Sequence, residues 1–127
     1  MTDAAAARGW IDAYRRAWET YEEADIRALF TDDAVYLAHP WEPGFTGVDA
    51  IVDAWNAVRH DAADTTFEVR GIDVVGDRAY VRAVSGYPRF GDVWENLFVV
   101  DLAPDGRATR FVGWDAKRPH DEDAASS

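Results

Sequence analysis

The sequence predicts an α+β fold in which three N-terminal helices pack on a strongly curved, mostly antiparallel sheet, a cone-shaped α+β barrel. Helical spacing of apolar residues dominates the first half of the chain, whereas β-branched and aromatic residues gather after Asp64. The two kinds of element are therefore segregated, not alternated as in βαβ units. The composition agrees: 127 residues that are 48% apolar and 13% aromatic can bury one core, and are too apolar for intrinsic disorder.

Taken in order, Trp10, Ala13, Tyr14, Ala17, Trp18 and Tyr21 recur at spacings of three and four and define an amphipathic helix with an aromatic face. Residues 1–9 are expected to be a flexible N-terminus before a single domain spanning 10–118. A shorter helical segment runs from Asp25 to Phe30, and Thr31-Asp32-Asp33 breaks it, because short polar side chains compete for backbone hydrogen bonds. A strand from Ala34 to His39 is closed by Pro40, which cannot continue a ladder. Trp41 to Gly47 has loop chemistry around Pro43-Gly44, and Thr46 with Asp49 can start a third helix reaching about His60.

Four strands follow, at 65–75, 78–87, 93–102 and 107–114, with Gly76-Asp77 and Pro104-Asp105-Gly106 as turns. Val69 and Ile72 cannot share one face of a regular strand, so Gly71 marks a bulge and strong curvature. A bent sheet with helices on one face encloses a cone, a natural small-molecule pocket. Residues 119–127 read as a disordered acidic tail.

Thirteen Lys and Arg against 24 Asp and Glu give a net charge of −11, which excludes a basic nucleic-acid surface. Leu97-Phe98-Val99-Val100 is far short of the ~20 apolar residues of a membrane span, and the N-terminus lacks the pattern of a secretory signal. The absence of cysteine rules out disulfides and thiolate metal sites and fits a cytoplasmic protein. No glycine-rich phosphate loop, nucleophile elbow or histidine pair at metal spacing is present, so no cofactor and no metal are expected. Ser85 is the only serine before the tail, which argues against covalent catalysis.

The element order, with the phrases Ala28-Leu29-Phe30-Thr31-Asp32-Asp33-Ala34, Pro43-Gly44-Phe45-Thr46-Gly47, Asp105-Gly106-Arg107 and Gly113-Trp114-Asp115, resembles the nuclear transport factor 2-like superfamily. It is similar more narrowly to the SnoaL-like (polyketide-cyclase-like) and ketosteroid-isomerase-like branches, over roughly Trp10 to Arg118. That superfamily includes isomerases, cyclases, dehydratases, epoxide hydrolases and non-catalytic binding proteins, so the resemblance implies fold more strongly than chemistry.

The resemblance places Tyr14 where ketosteroid isomerases keep a tyrosine that donates a hydrogen bond to the substrate oxyanion. The other reading is a core tyrosine on an aromatic helix face. His39 stands before Pro40, at the place of the family's general-base aspartate, on a strand one residue longer. It is either a base, since the unperturbed pKa of histidine, about 6.5, suits proton transfer near neutrality, or a polar strand end. The oxyanion-holding acid of the isomerases is replaced by Phe98, which argues against steroid isomerisation. Asn96, on the same strand face, is a neutral donor that can substitute, or else a surface or interface amide.

Phe111, Gly113 and Asp115 fall on the inward face of the last strand and Trp114 on the outward one. SnoaL-like proteins often carry a tryptophan-aspartate pair here, which makes Asp115 the preferred acid-base candidate, its pKa raised beside indoles in a desolvated cavity. The alternative is a strand-end ion pair with Lys117 or Arg118.

Trp18, Tyr36, Trp41, Phe45, Trp55, Trp94, Phe98 and Phe111 are candidates for the cavity wall, and most also serve as core. Trp41 and Phe45 are expected over the cone mouth, which is where their loop lies in the resembling folds. His60 and His120 read as a helix-end and a tail residue. Two functions compete: an acid-base enzyme that isomerises, cyclises, dehydrates or hydrates a small apolar or aromatic molecule, and a non-catalytic ligand-binding or assembly domain. The apolar outer sheet face, with Trp94, Leu97, Val99 and Trp114, is expected to join a homodimer.

Overall fold

The computed structural model describes residues 3–57 and 65–119, the side chain of Arg89 excepted. Helix α1 (Ala4–Thr20) begins well before Trp10, because the Asp3 carboxylate accepts a hydrogen bond from the Ala6 N–H at 2.8 Å and caps it. Residues 4–9, expected outside the domain, instead form the first turns of this helix, and Ala7 is buried. The helix ends at Tyr21, held in the left-handed region at φ 55° with its N–H donating to Ala17 O. That backbone costs a non-glycine residue about 1–2 kcal/mol, offset here by burial of the ring beside Trp55.

Helix α2 (Glu23–Arg27) is short, and β1 (Phe30–Leu37) starts four residues before the expected Ala34. Phe30 is fully buried and pairs with Ala108, so the pull of the core outweighs the local helical spacing. Thr31-Asp32-Asp33 lies where the β1 register shifts, and His39 falls beyond the strand's end. Buried Trp10 Nε1 donates to Leu29 O at 2.9 Å and ties α1 to the entry of β1.

Within the expected loop, Phe45–Thr46 forms a two-residue strand, β2, antiparallel to β1. Helix α3 (Val48–Ala57) then starts directly after Gly47, so Thr46 is in the sheet and is not the cap. Asp49 does sit in its first turn, paired with Arg27 at 2.7 Å. The continuation of α3 to His60, His60 itself, His120 and the tail from residue 120 lie outside the described residues.

The remaining strands, β3 (Thr66–Val75), β4 (Arg78–Tyr87), β5 (Asp92–Leu102) and β6 (Ala108–Lys117), form an antiparallel meander within three residues of the expected bounds. Sheet order is β2-β1-β6-β5-β4-β3, with β1 and β6 parallel and every other pair antiparallel. The sheet is curved and open, with β2 and β3 as its edges. The predicted bulge is present: the β3–β4 register shifts between Val69 and Gly71. A Cβ at Gly71 would come within 2.5 Å of the Arg82 guanidinium, so a side chain there would make Arg82 shift from its place across the strand.

The helices cover the concave face, where Ile11, Ile26, Ile51, Val81, Val100 and Phe111 are almost wholly buried. Strand alternation puts Trp94 in the same set as Asn96 and Phe98, so it does not belong to the outer face with Leu97 and Val99. The outer face instead carries the cross-strand rows Tyr80–Val99–Val112 and Arg82–Leu97–Trp114. Among the described residues no helix is long and apolar enough to cross a membrane.

Candidate functional site

Between the helices and the sheet lie two adjoining chambers, an outer one of about 640 Å³ and an inner one of about 290 Å³. Tyr14, Trp18, Tyr36, Ala38 and His39 border both. The inner chamber is where polar groups converge, and strand alternation explains why. Ser85 and Tyr87 on β4, Asn96 on β5 and Asp115 on β6 continue the inward-facing sets of their strands past the apolar core.

Gly113, two residues before the acid, makes room for it. A Cβ there would meet Ala38 O at 2.7 Å and Asp115 Oδ2 at 3.2 Å, so glycine allows β6 to approach the chain leaving β1. Asp115 forms no ion pair with its strand neighbours: Lys117 reaches Asp92 at 3.3 Å and Arg118 reaches Glu95 at 2.8 Å.

The amide orientation of Asn96 that satisfies all its neighbours has Nδ2 donating to Asp115 Oδ1 at 2.9 Å and Oδ1 accepting from Ser85 Oγ at 3.0 Å. The hydroxyl of Tyr87 bonds in turn to Ser85. A chain of hydrogen bonds thus runs from Tyr87 through Ser85 and Asn96 to the carboxyl group.

Burial pushes the Asp115 pKa up to about 6, against the pull of His39 in the opposite direction. A carboxyl group in that range can donate or accept a proton near neutrality. Tyr14 is raised well above the usual tyrosine value, by burial first and then by the fields of Tyr36 and Asp115. Tyr36 is raised for the same two main reasons, burial and then Asp115. Both hydroxyls therefore stay protonated and serve as hydrogen-bond donors, not bases. His39 lies flat on Trp41, ring centroids 4.7 Å apart, and its Nδ1 is buried without a hydrogen-bond partner.

The raised pKa has a consequence for stability. Between the ordinary value of 3.8 and about 6 the folded chain holds a proton on Asp115 that the unfolded chain has lost. The group's stabilising contribution is thus fully present below 3.8 and is lost as pH rises through about 6. Melting curves of the wild type and of Asp115→Asn should therefore diverge in the wild type's favour as pH is lowered from 7 to 5. Parallel curves across that range would show that the acid is ordinary.

The expected wall residues divide. Phe98 and Phe111 line the inner chamber and Phe45 and Trp55 the outer, while Trp18 and Tyr36 serve both. Trp41 lines neither: it is 75% exposed and acts on the site through the face of His39, because its loop turns outward after Pro40. Tyr21, Ser85, Tyr87, Glu42, Asp53 and Phe67 were not expected to line the chambers. For Ser85 and Tyr87 a signal existed, since they extend the alternation Ala79, Val81, Ala83 along β4. Among the described residues no three metal-ligating side chains come together.

An open curved sheet, three helices on its concave face and a pocket between them define the nuclear transport factor 2-like class. The chain belongs to the SnoaL-like domain family, whose description matches residues 11–121. A comparison with curated proteins found no match.

Solved structures give the same fold. A protein assigned as a ketosteroid isomerase from Kribbella flavida superposes with a TM-score of 0.74 at 16% identity, over 94% of this chain and 84% of that one. A SnoaL-like protein of unknown function from Burkholderia thailandensis gives 0.71 at 18%, over 91% and 99%. A de novo designed protein with a curved β-sheet gives 0.68 at 17%, over 88% and 86%. A designed chain shares the architecture, so any chemistry resides in the side chains and not in the fold.

Proposed function

We propose that this protein is an acid-base enzyme acting on a small apolar or aromatic molecule held in the cavity. Isomerisation, cyclisation, dehydration and hydration all require the same elementary step. Asp115 takes a proton from the substrate, or in hydration from the attacking water, becomes a neutral carboxyl group, and returns the proton to another atom, which in dehydration is the oxygen that leaves as water. Asn96 and Ser85 hold the carboxyl in place. Tyr14 donates a hydrogen bond to the oxygen on which negative charge develops, and His39, which borders both chambers, is the second proton carrier. The observation that carries this reading is the convergence of Asp115, Asn96, Tyr14 and His39, from four separate elements, on one aromatic chamber.

The test uses a panel of apolar ketones incubated in D₂O with the protein and followed by mass spectrometry, which detects proton transfer to carbon even without net product. Deuterium uptake that disappears in Asp115→Asn supports the reading. Ligands that raise Tm but are recovered without deuterium favour the second reading, a binding domain. Phe98 in the chamber wall, where the resembling isomerases hold an acid, supports that alternative.

A homodimer through the outer sheet face is part of the proposal. Trp114 is 54% exposed beside Leu97, a costly apolar surface to leave in water. Light scattering at micromolar concentration should give twice the chain mass for the wild type and the single mass for Trp114→Glu. A monomeric wild type would remove the dimer from the proposal.

A further inference from the structure

The outer chamber differs from the inner one in chemistry. Three tyrosines surround Trp55 with their rings steeply inclined to the indole: Tyr14 at 5.5 Å and 83°, Tyr21 at 6.1 Å and 66°, Tyr36 at 6.3 Å and 57°. Together with Trp18 these four rings line one wall of the chamber, and the π faces of aromatic rings carry partial negative charge. Tyr21 joins this wall only by accepting a left-handed backbone at the end of α1.

Two carboxylates, Glu42 from the loop after β1 and Asp53 from α3, border the same chamber. Among the described residues neither is paired with a cation, whereas Asp49, one turn before Asp53, is taken by Arg27. No lysine or arginine among the described residues lines either chamber. The field of Glu42 reaches the buried Tyr36 hydroxyl, so this acid acts on the interior and not only on bulk solvent.

We propose that the outer chamber is a subsite for a positively charged group, an ammonium or quaternary nitrogen carried on an apolar body, and that it rejects carboxylate, phosphate and sulfate ligands. The proposal rests on the reading of the cavity as a ligand pocket and narrows its substrate class. The nitrogen sits in the chamber against this aromatic wall, with Glu42 and Asp53 balancing its charge. The rest of the molecule extends past Tyr14 and Tyr36 towards Asp115. A neutral apolar ligand would occupy the same volume but gain nothing from the two acids. An anion would meet three carboxylates and be repelled.

The experiment compares three probes that share a naphthalene body by calorimetry: trimethyl(2-naphthylmethyl)ammonium, 2-naphthalenemethanol and 2-naphthoate. The cation should bind roughly tenfold more tightly than the alcohol, and the naphthoate should not bind measurably. In the double variant Glu42→Gln, Asp53→Asn the cation's advantage should fall below about threefold, with the alcohol unchanged. Raising ionic strength on the wild type should erode the same advantage without any substitution. Equal binding of the alcohol and the cation, measurable binding of the naphthoate, or an advantage that survives both the double variant and salt would overturn the subsite.

The failure of the catalytic reading is separately visible. A cation advantage retained in Asp115→Asn, with no deuterium uptake by any ketone, leaves the subsite standing and removes the enzyme. Uptake without a cation advantage does the reverse.

Discussion

Replacing Asp115 with asparagine should lower turnover by at least ~100-fold while leaving ligand binding and the fold intact. Asparagine has the same shape, so the chamber bounded by Gly113 and Asn96 keeps its volume, and neither Lys117 nor Arg118 loses a partner, because both are held elsewhere. What is lost is the only carboxyl group that the described residues place in the inner chamber. The loss should appear in kcat and not in KM, as expected when an interaction serves the transition state alone. With Asp115 as the base, kcat/KM of the wild type should rise with pH through about 6. A variant that turns over substrate at the wild-type rate, or a flat profile between pH 5 and 7, would move the chemistry away from this residue.

The largest effect on stability is expected at Phe111. Its ring stacks on Tyr36 at 4.9 Å and on Tyr14 at 5.7 Å, and touches Phe98 at 5.0 Å, with only 1% of the residue exposed. Phe111→Ala should cost about 3–5 kcal/mol and lower Tm by roughly 10–20 °C. The ring is also the floor on which both shared tyrosines rest, so the variant should lose ligand-induced stabilisation together with Tm. Retention of both in thermal melts would mean that the surrounding rings close the gap, and that the aromatic cluster is looser than its stacking distances imply.

The fold was legible in the sequence wherever one periodicity ran without competition. The four meander strands and the Gly71 bulge follow from alternation and turn residues alone. The misplaced boundaries lie where local and long-range preferences conflict. Ile26, Leu29 and Phe30 have helical spacing, yet Phe30 pairs with Ala108, and a contact that far along the chain leaves no mark on its own neighbourhood.

The site follows the same division. The inward facing of Asn96, Phe111 and Asp115 comes from parity within a strand and matches the structure. The partner of Asp115 could not be chosen from spacing, because Lys117 and Arg118 were plausible until Asp92 and Glu95 came beside them from β5. Trp41 misled for a related reason: loop composition says that a residue is in a loop, but not which way the loop turns.

The parallel pairing of β1 with β6 has a consequence for the order of assembly. The meander from β3 to β6 is built from hairpin contacts close in sequence, whereas Phe30 and Ala108 must meet across nearly the whole domain. Loop-closure entropy delays such contacts until the local ones are in place. Ser85, Asn96 and Asp115 all belong to the meander, so the hydrogen-bonded acid is expected to assemble early in folding. The aromatic wall of the outer chamber, which needs α1, β1 and α3, closes over it last.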